Sequence, residues 1–141
     1  MSDSKKLKIL HLVRWYPNKF DPMPGLFIQR HIEAANIYSE CGVVYTHLVS
    51  KDWDSVSSFV TEISMINGVP TAKVYYKGAN RYLGPLGKII NIYRFYKANR
   101  IGIGVIKSEL EGIDLLHIHI LTRLGLIGLY YKLTKGIPYI L

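Results

Sequence analysis

Two histidines one residue apart, His117 and His119, sit in the apolar run Asp114 to Ile120. The alternation of a β-strand puts both on one face. Imidazole can donate or accept a proton near neutral pH and is a common metal ligand. A histidine on an apolar strand serves equally well as a hydrogen-bonded core residue. His119, near the strand end, stays open between these roles, while His117, one pleat deeper, reads as structural. His11 could complete a metal site with them, but no carboxylate or cysteine accompanies the three, and no metal is expected. Trp15 and Tyr16 close another apolar run, Ile9 to Val13, and their rings either stack on a sugar or plug a loop over the core. Thr122 and Arg123 follow His119, where capping a helix or meeting an anion explains them equally.

A second chemistry is electrostatic. Arg94, Lys97, Arg100 and Lys107 fall within one arc of a helical pattern, flanked by aromatic residues, with no acid before Glu109. Such a face is either simply solvated or a contact for anionic lipid headgroups at a membrane surface.

The elements that must position these residues follow from periodicity and turn chemistry. The first strand ends near Arg14, because Pro17 cannot extend a ladder. A loop crowded with the turn residues Pro17, Asn18, Asp21, Pro22, Pro24 and Gly25 leads to a helix opening near Gly25. There Phe27, His31, Ala34 and Tyr38 recur at helical spacing, with Ile28, Ile32 and Ala35 beside them, and Gly42 serves as a left-handed stop. The free N–H groups of its first turn face the strand's carboxyl end and favour an anion. Val43 to Val49 form a parallel second strand. Asp52 to Ser58 read as a polar loop, and Phe59 to Ile66, Asn67-Gly68 and Val69 to Tyr76 as a hairpin. A helix runs from about Lys88 to Leu110 with Ile89, Ile90, Tyr93 and Tyr96 on its apolar face. Gly102 and Gly104 weaken it and, following no strand, are no dinucleotide fingerprint. Thr122 can cap a helix running to Lys135, in which Gly125 and Gly128 allow close approach to the sheet. Gly136 stops it, and a last strand spans Ile137 to Leu141.

The 141 residues, 49% hydrophobic, suffice for one domain with a core. Met1 to Lys6 form a frayed lead-in. The one cysteine, Cys41, excludes an internal disulfide and a multi-cysteine zinc site and favours a reducing compartment. No signal peptide is expected, and the best apolar stretch, Leu124 to Tyr131, is too short to span a bilayer. The net charge of +8 favours a polyanion or an anionic membrane as neighbour. The absence of a recognisable reading module argues against nucleic acid.

Lys8-Ile-Leu-His-Leu-Val-Arg-Trp-Tyr-Pro17, followed by Gly25-Leu-Phe-Ile-Gln-Arg-His31, resembles the opening of the family 4 nucleotide-sugar glycosyltransferases. Asp114-Leu-Leu-His-Ile-His119, then a helix and Gly136-Ile-Pro-Tyr139, resembles later strands of the same amino-terminal domain, in the same order. The resemblance spans nearly the whole chain. It implies a Rossmann-like α/β domain, doubly wound and mainly parallel with an added hairpin, forming the acceptor-side, amino-terminal half of a GT-B architecture over residues 1–141. The carboxyl-terminal donor-binding domain is then expected elsewhere in a longer protein, and this chain alone is expected to be inactive.

The implied activity is retaining transfer from a nucleotide-diphosphate sugar to a sugar, lipid or polysaccharide acceptor, with no required cofactor or metal. By the same resemblance His119 faces the cleft and bonds the transferred sugar or the reacting groups. Gly25 lets the donor diphosphate or acceptor approach backbone N–H groups, unless it is a turn glycine required only by its φ. The family often pairs two glycines in that loop, whereas this chain has Pro24-Gly25. The expected setting is cytoplasmic, with peripheral contact at the inner face of the membrane. The rivals are a non-catalytic module holding a phosphorylated small molecule at the same strand ends, and a basic domain that binds membrane surfaces.

Overall fold

The computed structural model describes residues 4–50 and 57–141. Most of the expected loop Asp52 to Ser58, and the first three residues, lie outside them. The chain order is β1 (Lys8–Val13), α1 (Leu26–Ala35), β2 (Glu40–Val49), β3 (Phe59–Ile66), β4 (Val69–Lys77), a short 3-10 turn (Arg81–Leu83), α2 (Pro85–Leu110), β5 (Leu115–His119), α3 (Leu124–Lys135) and β6 (Tyr139–Ile140). Among the described residues these strands form one sheet in the order β3-β4-β2-β1-β5-β6. Only β3 runs antiparallel, paired to β4 through the hairpin. Asn67 and Gly68 both take positive φ there, 48° and 79°, as the tightest hairpin turns require.

With β3 set aside, the parallel strands read third, second, first, fourth, fifth, which is the Rossmann-like arrangement. The order reverses between β1 and β5. One face of the sheet packs Leu10, Leu12, Val44, Val74, Leu116 and Ile118 against α2 and α3 in a hydrophobic core. The other carries Val13, Cys41, Val43 and Tyr45 against Ile28 and Ile32 of α1.

Helix α1 opens where expected, but its buried stripe is Ile28 and Ile32. Phe27, His31, Ala34 and Tyr38 face solvent. The rotation of the helix is set at its start. Gly25 has φ 70°, and a Cβ built there would lie 2.2 Å from the Trp15 carbonyl oxygen, so only glycine lets the chain turn so close to the end of β1. Gly42 does not stop this helix, which ends at Ala35 with Asn36 as its cap. Gly42 instead lies in β2, where a Cβ would meet Ile106 at 2.3 Å.

Helix α2 also turns differently from the expected phase. Ile89 and Tyr93 are each 63% exposed, and Phe95, Ala98, Gly102, Ile103, Ile106 and Leu110 are buried. The small residues decide this, because Ala98 and Gly102 let the helix axis lie close on β2. A Cβ on Gly102 would sit 2.5 Å from Val44 Cγ1, so this glycine serves packing in place of weakening the helix. Gly128 does the same for α3, with Ile118 Cδ1 2.5 Å from its virtual Cβ. Thr122 does not cap α3. The N-cap is Arg123, without a side-chain bond, and Thr122 contributes only its carbonyl to the Gly125 N–H at 3.1 Å. Gly136 stops α3 at φ 67°, as expected.

The two glycines of α2 make a paired test. Gly102→Ala is expected to lower stability by about 1–3 kcal/mol through overpacking against Val44, despite a helix-propensity gain of up to about 1 kcal/mol. Gly104, with nothing within 4 Å of its virtual Cβ, should gain about 0.5–1 kcal/mol on change to alanine. Urea unfolding midpoints of the two variants check both signs.

Candidate functional site

Strand β1 is the centre of the site. Residue alternation sends Leu10 and Leu12 to the aliphatic face and Ile9, His11 and Val13 to the α1 face. Its parallel register with β5 sets His11 opposite His117 and Val13 opposite His119. Three imidazoles therefore meet on one face at the point where the strand order reverses, which in open α/β sheets is where ligands gather. His11 Nδ1 lies 2.9 Å from His119 Nε2. The His117 and His119 rings stack with centroids 4.1 Å apart and planes inclined 23°. His31, on the exposed side of α1, stands with its ring 6.1 Å from both.

His11 is 1% exposed, and its Nε2 has no hydrogen-bond partner. Either tautomer leaves that atom unsatisfied. If Nδ1 donates to His119, Nε2 is a buried lone pair; if Nδ1 accepts, Nε2 carries a buried hydrogen. Such a group costs about 1–3 kcal/mol. Burial, then the neighbouring imidazoles, push the His11 pKa down to about 2. The same causes lower His119 to about 4, and burial followed by His31 lowers His117. The cluster is a set of neutral rings at physiological pH, offering lone pairs and N–H groups and no fixed positive charge. By nitrogen donors alone, His11, His117 and His119 could hold a metal ion.

The backbone just beyond His119 is unusual. Ile120 takes φ 75°, a left-handed conformation that a β-branched residue rarely adopts, and the Thr122 N–H bonds the Ile120 carbonyl at 2.9 Å. This tight reversal swings Thr122 and Arg123 over the sheet's other face. There Arg14, Tyr76, Lys88, Asn91, Thr122 and Arg123 line a cavity of about 520 Å³ between the strand ends and the start of α2. It has three cationic side chains and no carboxylate among its lining residues.

The loop from Arg14 to Gly25 is held by one buried amide. Asn18 Nδ2 donates to the Tyr16 carbonyl at 3.1 Å and to the Tyr45 hydroxyl at 3.2 Å, while its Oδ1 accepts from Phe20 N and Asp21 N. Tyr16 is 1% exposed and packs with Ile28, Ile32 and Tyr45. Its ring is the plug over the core and cannot stack on a sugar in this arrangement. Trp15, 53% exposed, is open to a ligand.

The structure brings His119 and the Trp15–Gly25 loop to neighbouring strand ends and places Thr122 on the opposite side of the sheet, in the basic cavity. Of the basic arc Arg94, Lys97, Arg100 and Lys107 on α2, Arg94 is engaged: its Nη1 donates to the Lys77 carbonyl at 2.8 Å, tying α2 to the end of β4. Lys97, Arg100 and Lys107 remain exposed. Sequence reasoning passed over Arg14, Lys88 and the partnership of His31 with the cluster. Arg14 and Lys88 entered the sequence reading only as element bounds, and only the fold shows that they meet. No family model, curated protein or solved structure matches the chain.

The buried histidine has a pH consequence. Its folded pKa lies below the unfolded value of 6.5, so the unfolded chain takes up the proton first and stability falls as pH drops below about 6.5. A loss of roughly 1 kcal/mol per pH unit is expected from His11 between about pH 6 and pH 4. Chemical denaturation across that range, with a chelator present, checks the slope. His11→Gln should flatten it.

Proposed function

We propose that this domain is the acceptor-side, amino-terminal half of a retaining glycosyltransferase of GT-B type. The protein that carries it would move a sugar from a nucleotide-diphosphate donor to a sugar, lipid or polysaccharide acceptor without a required metal. The observation that carries this reading is the meeting of two separate stretches that resemble family 4 transferases. The Trp15–Gly25 loop leaves the carboxyl end of β1, and His119 ends β5 beside it, across the reversal of strand order.

In this reading each residue has a task. His119 has Nε2 engaged with His11, so Nδ1 is the nitrogen left to bond a sugar hydroxyl or a reacting oxygen. Neutral imidazole there acts as donor or acceptor; it does not supply charge. Trp15 offers an exposed ring to a sugar face. Gly25 keeps the backbone at the start of α1 bare for close approach by donor or acceptor. Thr122 and Arg123, with Arg14 and Lys88, would receive an anionic part of a substrate. That basic cavity also favours the second reading, a module that binds a phosphorylated small molecule without turning it over.

The deciding experiment is a transfer and donor-hydrolysis assay on the full-length parent protein over a panel of sugar nucleotides. Wild type should turn over at least one donor, and His119→Ala should lower kcat by about 10²-fold or more with folding intact. Undiminished turnover in the variant would return His119 to the core. A phosphorylated ligand bound without turnover of any donor would favour the binding module.

The exposed face of α2 supports a place at the cytoplasmic surface of a membrane. Tyr93, Tyr96, Lys97, Arg100 and Ile101 line one shallow depression, and Lys97 Nζ lies 5.1 Å from the Phe59 ring centre. No described helix is long and apolar enough to cross a membrane. Sedimentation with anionic vesicles should show binding that weakens as salt rises and falls several-fold in the doubly reversed Lys97→Glu, Arg100→Glu variant. Salt-independent binding, or binding unchanged by the reversal, would remove this surface from the account.

A further inference from the structure

We propose that His11, His117 and His119 form a binding site for one divalent transition-metal ion, zinc or a metal of similar ligand preference. The inference goes beyond the transferase reading and does not rest on it.

Three observations carry it. First, each ring offers a nitrogen such that no two of the three atoms are more than 4.8 Å apart. In a tetrahedral zinc site with bonds of about 2.0–2.1 Å the nitrogens stand about 3.3 Å from one another. His11 Nδ1 and His119 Nε2, at 2.9 Å, are already close to that spacing. The widest pair must close by about 1.5 Å, which side-chain rotation of the half-buried His117 can supply.

Second, the backbone that aims the three rings is rigid. His117 and His119 share one face of a single strand, and His11 is the register partner of His117 on the neighbouring parallel strand. Two ligands from one strand and a third from the next need no loop to close. Three histidines leaving one position open is also a ligand set that zinc accepts, with water or substrate completing the tetrahedron.

Third, the cluster is unfinished as a hydrogen-bonded core. His11 Nε2 is buried and unpartnered, so no second hydrogen bond holds that ring to its contact with His119. For both facing nitrogens to ligate, the hydrogen they share must move to His11 Nε2 or to His119 Nδ1, a tautomer change that leaves each ring uncharged.

The ligand chemistry selects the ion. All donors are imidazole nitrogens, which suit zinc, cobalt, nickel or copper and do not suit calcium or magnesium, both of which take oxygen. His31, its ring 6.1 Å from His117 and His119, stands at the solvent side of the cluster and leaves an approach past the exposed flank of α1. With Nε2 of His119 on the ion, its Nδ1 would stay directed away from His11, the nitrogen left for a sugar in the transferase reading.

Titration of the untagged, chelator-treated chain with Co²⁺, followed by its visible ligand-field absorption and by Zn²⁺ displacement, tests the proposal without any sugar substrate. One equivalent per chain should bind, with the intense bands of a four-coordinate ion, and Zn²⁺ should abolish them. His117→Gln, at a half-exposed position that should not disturb folding, is expected to weaken binding at least about tenfold. His47→Ala, outside the cluster, should leave binding unchanged. Absence of saturable Co²⁺ and Zn²⁺ binding by wild type would overturn the proposal. So would stoichiometric binding that His117→Gln does not weaken, or that His47→Ala removes.

Discussion

The parallel pairing of β1 on both of its sides is the constraint from which the rest of the molecule follows. Its hydrogen bonds to β2 and β5 are satisfied only in one register, because a shift by one residue would turn Leu10 and Leu12 out of the aliphatic core and His11 into it. That register lays His11 beside His117 and brings Val13 level with His119. It also fixes where the chain leaves the sheet, so Arg14 and Trp15 emerge beside the end of β5. The site is therefore a by-product of the core's own pattern. The residues that bury one face of the central strands leave polar residues of the same strands no place except the other face.

Much of the architecture was legible because its signals are local. Asn67-Gly68 and the alternating runs on either side define a hairpin without help from the rest of the chain. Gly136 and Pro138 end α3 for the same reason. Helix phase was less legible. Both α1 and α2 carry two overlapping apolar stripes, and composition alone does not say which one lies on the sheet. In α2 the decision falls to the smallest residues, Ala98 and Gly102, whose want of bulk lets the helix sit close to Val44. The stripe that reads as more hydrophobic, with Ile89 and Tyr93, is left outside. Hydrophobicity registers what a residue gains from burial, whereas close packing also asks what fits.

The candidate site divides in the same way. His117 and His119 are a visible pair because a strand period of two joins them in sequence. His11 lies 106 residues before its register partner, and nothing local couples them. Arg14 and Arg123 lie in two separate connections and Lys88 in the first turn of α2, and they converge only through the order of the sheet. Tyr16 shows the reverse case. An aromatic residue at a strand end fits a sugar platform or a plug equally well, and it is Asn18, pinning the loop from within, that presses this ring inward.

Unequal cover on the two faces explains why the polar cluster survives where it does. Helix α2 has 26 residues and runs about 39 Å, enough to cross several strands, and α3 seals the remainder of its face. On the other face α1 has ten residues, about 15 Å in length. A helix about 10 Å across spans roughly two strand spacings of about 4.8 Å. It covers β1 and β2, where Ile28 and Ile32 pack on Val43, and stops short of full cover on β5. His11 is 1% exposed beneath this face, and His117 and His119 are half-buried, each with its ring 6.1 Å from that of His31. The cluster thus grades from a dry imidazole to half-exposed ones over two strand positions. Such a gradient lets one end be fixed by the fold while the other remains within reach of a ligand.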